Sequence, residues 1–156
     1  MTDDEIERDP DEVDPAAVAW LAPQEVRSWA ALVAVLEVLP AALDAQLKRD
    51  AGLNHFEYMI LAGLSDAPER TMRMSQLAMF AAGSLSRLSH ALGRLEAKGW
   101  VVRTPAGAGR AVDVSMTATG RTMMEQVAPG HVTEVRRLVV DPLGAQRLAQ
   151  LGRACR

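Results

Sequence analysis

The sequence predicts a mainly α fold: a winged helix-turn-helix lobe with a two-stranded β-wing, set between helices at the N- and C-terminal ends. Three observations predict it. Ser84 to Gly99 reads SLSRLSHALGRLEAKG. At helical spacing its Leu85, Leu88, Leu92 and Leu95 fall within about 80° of one another, one apolar seam that must face a core. A short helix following Met74 (Ser75, Leu77, Ala78, Phe80) and a small-residue turn, Ala81 to Gly83, come just before it. After Gly99 the period changes to two: WVVRT, a PAGAG turn and RAVDVS make a two-stranded ribbon.

In chain order, residues 1–15 read as a disordered acidic tail, with eight acids against Arg8 and prolines at 10 and 15. Residues 16–50 read as one long helical region. Pro23, Gln24 and Glu25 mark a start, Trp29, Leu32, Val33, Leu36 and Leu39 keep the period, and Pro40 is expected to kink or divide it. With Trp20, Leu21, Val26 and Val35 its apolar surface is wider than one core face needs, and a second copy of the chain is the simplest cover. Asn54 with Glu57 spells a capping box for a helix to about Asp66, its Phe56, Met59, Ile60 and Leu64 on one face. Asp66 to Thr71 reads as a polar turn.

Within the amphipathic helix the face opposite the seam holds Ser86, Arg87, His90 and Arg94. Gly99 supplies a left-handed stop and Lys98 suits the last turn. Ser115 and Thr117 open a further helix, which Pro129 and Gly130 are expected to interrupt. Asp141 is expected to cap a last helix to Cys155, with Pro142 in its first turn.

The net charge of −3 conceals a tail of −7 and a body of +4, and a basic body suits a polyanion. Arg outnumbers Lys fifteen to two. The lone cysteine, Cys155, excludes a disulfide framework or a Cys-based zinc site within one chain. The N-terminus lacks a signal-peptide pattern, and runs such as WAALVAVL read as too short to span a bilayer, so a soluble cytoplasmic protein is expected. No Gly-rich phosphate loop, nucleophile elbow or paired carboxylates appear, and His55, His90 and His131 have no metal-ligand spacing. Neither an enzyme, a cofactor nor a metal is expected.

The order of a long helix, GLNHFEYMILAGLSDAP, SQLAMFA, SLSRLSHALGRLEAKGWVVR, a Gly-rich wing and VSMTATGRTMMEQV resembles the MarR family of bacterial regulators, over about residues 20 to 155. LSRL, RLEAKGWV and the MTATGR turn are the specific pieces. The resemblance implies a single domain over 16–156. Residues 16–50 and 117–156 would supply dimerisation helices, and 53–116 the winged helix-turn-helix. It further implies a homodimer on a pseudo-palindromic operator in double-stranded DNA, with recognition helices in the major groove and wings in the minor. A repressor released by a small aromatic or phenolic effector fits that pattern. The usual wing carries an acid just before an arginine pair; here GAGR has Arg110 alone.

Affinity would come from neutralised phosphates and specificity from base edges. The candidates are Ser84, Ser86, Arg87, His90, Arg94, Lys98, Arg103 and Arg110. Arg87 and Arg94 suit guanine or phosphate, Ser84 and Ser86 suit a helix-start phosphate, and Arg110 suits a narrow minor groove. Ser89 ranks lower. His90, Lys98 and Arg103 read equally as solvated charges or surface polar groups. Trp20, Trp29, His55, Phe56 and Met59 are candidates for an effector cavity, with ordinary core packing as the alternative. The competing class is a winged-helix dimer that acts through protein contacts rather than sequence-specific DNA binding.

Overall fold

The computed structural model describes residues 14, 16–106 and 111–155. Nearly all of the acidic tail, and the wing tip with Arg110, lie outside them. The described residues fall into two compact units divided between Leu36 and Glu37.

The division falls within the first helix, α1 (Pro23–Ala51). Pro40 does not end it. A proline removes only its own i→i−4 bond, and the helix formers on both sides carry the rest. By length and composition α1 is apolar enough to cross a bilayer, contrary to the expectation drawn from shorter runs. In the first unit Val26, Trp29, Leu32, Val35 and Leu36 are exposed. The Ala22 backbone N–H donates to Glu25, which caps the start of α1.

The second unit holds the core. Asn54 caps α2 (His55–Asp66) with the full predicted capping box: Asn54 Oδ1 accepts from Glu57 N–H at 2.8 Å, and Glu57 Oε2 accepts from Asn54 N–H at 3.0 Å. After a 3₁₀ turn, Pro68–Arg70, comes a short strand, β1 (Thr71–Arg73), where the sequence suggested only a turn. Then follow α3 (Met74–Phe80), α4 (Leu85–Ala97), β2 (Val101–Pro105) and β3 (Val112–Met116). The three strands form one antiparallel sheet in the order β1-β3-β2, so the ribbon is a three-stranded sheet and not an isolated hairpin. β1 was hidden because three residues are too few to show a period.

Leu88, Leu92 and Leu95 of α4 are fully buried against α2, α3 and β2–β3 residues, with Leu61, Leu64, Leu77 and Val114 in the same cluster. Leu85, the expected first member of the seam, is 55% exposed. The α3–α4 turn places Ala82, not Gly83, in the left-handed region (φ 51°). Gly83 is required for another reason: the Phe56 ring lies where its Cβ would be. Gly99 does take the left-handed stop (φ 71°).

Thr117 caps α5 (Ala118–Val135), its hydroxyl oxygen accepting from Gly120 N–H at 3.0 Å. Pro129 and Gly130 do not interrupt α5. It leads through a π-turn, Arg136–Val140, into α6 (Asp141–Ala154). Asp141 is therefore helical and is no cap; its carboxylate accepts from Arg136 Nη2 at 2.8 Å. Pro142 has no N–H to return to the preceding turn, and that turn widens to an i→i−5 bond from Asp141 N–H to Arg136. A Cβ at Gly120 would overlap the Trp100 backbone carbonyl, which accepts from Thr117 N–H at 3.0 Å.

Gly120→Ala is therefore expected to lower the unfolding free energy by about 1–3 kcal/mol. Gly152→Ala, which meets nothing within 4 Å in α6, should leave it unchanged or raise it by up to about 1 kcal/mol. Urea unfolding at neutral pH measures both.

Candidate nucleic-acid interface

Residues 84 to 87 are all exposed, so the first turn of α4 lies at the surface of the lobe. A helix packed along its full length would bury one residue in three or four. Ser84 caps this turn, its Oγ accepting from Arg87 N–H at 3.1 Å. Further along, the helical spacing directs Ser86, His90, Gly93 and Ala97 outward, opposite the leucines.

The two arginines of the polar face are not free rods. Arg94 Nε donates to Glu57 Oε1 at 2.6 Å. The Glu57 side chain is only 6% exposed, so one buried carboxylate both closes the α2 capping box and holds α4. The Arg87 guanidinium lies 4.1 Å from the centroid of the Phe56 ring. Both line a cavity of about 730 Å³ with Asp44, His55, Phe56, Met59, Phe80 and His90. Of the effector candidates, His55, Phe56 and Met59 line this cavity. Trp20 and Trp29 belong to the first unit, and both are exposed. That Arg87, His90 and Arg94 border it was not legible, because most of the facing surface comes from α1 and α2, far earlier in the chain.

On its other side α4 is clamped to the wing. Arg103 donates through Nε to Glu96 Oε2 at 3.1 Å and through Nη1 to Ser89 Oγ at 3.3 Å, while its backbone N–H reaches Glu96 Oε1 at 3.0 Å. These bonds hold the Glu96 carboxyl below, and the Arg103 guanidinium above, their usual ranges. Arg103, expected as a backbone contact or a solvated charge, is a brace between α4 and β2. Lys98 is likewise engaged: its Nζ donates to the Gly52 carbonyl at 3.0 Å and sits 4.5 Å from the Trp100 ring centroid. A further pair, Arg73 Nε to Asp113 Oδ1 at 3.0 Å, ties β1 to β3. The wing base is thus braced by acids that the GAGR tip lacks.

Beside the cavity lies a buried polar cluster. His131 Nδ1 is 3.0 Å from Gln46 Oε1, and Gln46 Nε2 donates to Asp50 at 2.7 Å. The Tyr58 ring packs 4.1 Å from that of His131, and His55 lies 6.1 Å away. Burial pushes the pKa of both histidines down; the neighbouring His55 adds to this at His131, and Asp44 opposes it at His55. Among the described residues no three His, Cys, Asp or Glu side chains group as a metal site would require.

No family model matches the chain, and no curated protein does. Solved structures do match. Sco3205 from Streptomyces coelicolor, a MarR family transcriptional regulator solved in complex with DNA, is 37% identical over 88% of this chain and 87% of its own, at a TM-score of 0.84. The chain belongs to the MarR family of transcriptional regulators. AbsC, a second MarR family regulator of Streptomyces coelicolor, is 35% identical over 88% of this chain and 93% of its own, with a TM-score of 0.81. NadR, solved in complex with 4-hydroxyphenylacetate, shares the MarR fold at 23% identity and a TM-score of 0.66, over 88% of this chain and 93% of its own.

Two outcomes follow from this geometry. Glu57→Gln keeps the cap acceptor but loses the charged partner of Arg94, and is expected to lower stability by about 1–3 kcal/mol in urea unfolding. Both histidines titrate below the usual 6.5 in the folded chain, so the unfolded chain binds protons first. Stability should therefore hold above pH 6.5 and fall as the pH drops through the folded values. His131→Gln should flatten that fall in a urea series from pH 7.5 to 5.

Proposed function

We propose that the chain is a DNA-binding regulator that grips a pseudo-palindromic operator as a homodimer in the cytoplasm. It acts there as a repressor, released by a small aromatic acid or phenol. The observation that carries this reading is the exposed first turn of α4 in a chain 37% identical to a regulator solved with DNA. An exposed helix start fits the major groove and directs backbone N–H groups and hydroxyls at phosphates and base edges. Residues 53–116 form the reading lobe. Residues 16–50 and 117–156 pair with a second copy, which would cover the exposed Val26, Trp29, Leu32, Val35 and Leu36.

The DNA contacts assigned are Ser84, Ser86 and His90 on the outward face, Arg87 and Arg94 at its edge, and Arg110 on the wing. Arg87 and Arg94 also border the cavity, so a carboxylate held there would draw the same guanidiniums away from phosphate. A ligand shifts DNA affinity only through such a difference between states. His55 adds polarity to the wall, and Phe56, Met59 and Phe80 add an apolar slot for a ring.

The test is fluorescence anisotropy on a duplex selected by the protein from genomic DNA. Affinity should fall by about 10³-fold or more between 50 and 200 mM salt. Added 4-hydroxyphenylacetate should weaken binding, and Arg94→Ala should blunt that response. A chain that stays monomeric at micromolar concentration overturns the dimeric reading, and a dimer that selects no duplex favours a protein-binding role instead.

A further inference from the structure

The seam of α4 starts one turn later than its leucine spacing implies. Leu88, Leu92 and Leu95 have no exposed surface, whereas Leu85 keeps 55% of its own. It lies in the turn Ser84–Arg87, where every residue is exposed and where Leu85 is the one apolar side chain. Its neighbours there have other engagements. Ser84 Oγ accepts the capping bond from Arg87 N–H, the Arg87 guanidinium is stacked on Phe56, and Arg94 further along is held by Glu57. Ser86 can donate or accept and so tolerates most base edges.

We propose that Leu85 is a specificity-determining residue that packs against a thymine methyl group in the major groove. The inference rests on the reading of α4 as the DNA-reading helix. An aliphatic side chain offers no donor or acceptor, and the thymine C5-methyl is the apolar feature that base edges present in that groove. Contact there removes both groups from water. The same leucine placed against a cytosine amino group would desolvate a donor without pairing it.

The experiment replaces thymine by deoxyuridine, one position at a time, in a duplex selected by the wild-type protein. This deletes a methyl group and leaves every hydrogen bond. In each half-site one replacement should weaken wild-type binding about fourfold, the effect of one methyl-sized group. Leu85→Ala should bind the thymine duplex more weakly, should not distinguish thymine from deoxyuridine at that position, and should keep the wild-type salt dependence, since no cation is lost. Leu85→Met should retain the discrimination. A wild-type protein that binds its selected duplex equally well with thymine or deoxyuridine at every position overturns the role of Leu85 alone. So does a Leu85→Ala variant that still discriminates. A protein that selects no duplex overturns the DNA-reading assignment, and this role with it.

Discussion

The seating of α4 depends on one buried carboxylate. Glu57 receives the backbone N–H that begins α2 and the Nε of Arg94, so the start of one helix and the last turn of another share one carboxylate. Leucines 88, 92 and 95 supply the attraction that buries α4 and set which side faces the core. A charge-assisted bond has direction and a length. It reinforces the orientation the leucines set, and it places the Arg94 guanidinium at the rim of the cavity.

This arrangement gives the polar face of α4 two distinct edges. Arg87 and Arg94 belong to the edge shared with Phe56 and His55, and Ser89 and Glu96 to the edge joined to β2. The outward strip between them is small and weakly polar. Such a strip suits close approach to base edges better than long charged side chains would, while the cations at its borders suit phosphates.

Much of the fold was legible in the residues. The Asn54–Glu57 capping box, the Gly99 stop, the Thr117 start and the change of period after Gly99 are local chemistry, and each stands where it was read. What failed depended on context beyond the local residues. Pro40, Pro129 and Asp141 were read as local punctuation, yet none ends a helix: a helix held by many other bonds absorbs the donor each proline lacks, and the Asp141 N–H donates to Arg136 across the π-turn. Leu85 was misplaced because period alone says which side a residue is on, and not whether a neighbour extends far enough to cover it. The Glu partners of Arg94 and Arg103 lie 37 and 7 residues away, and the cavity that Arg94 borders depends on tertiary placement that spacing does not carry.

The clamp of Arg103 on Glu96 and Ser89 has a mechanical corollary. With one end of α4 bonded to β2, and its other flank bonded to α2 by Arg94, helix and ribbon base form a single stiff block that resists internal rearrangement. Any signal that alters what this block grips must therefore shift it bodily, or unhook one of those guanidiniums from its carboxylate.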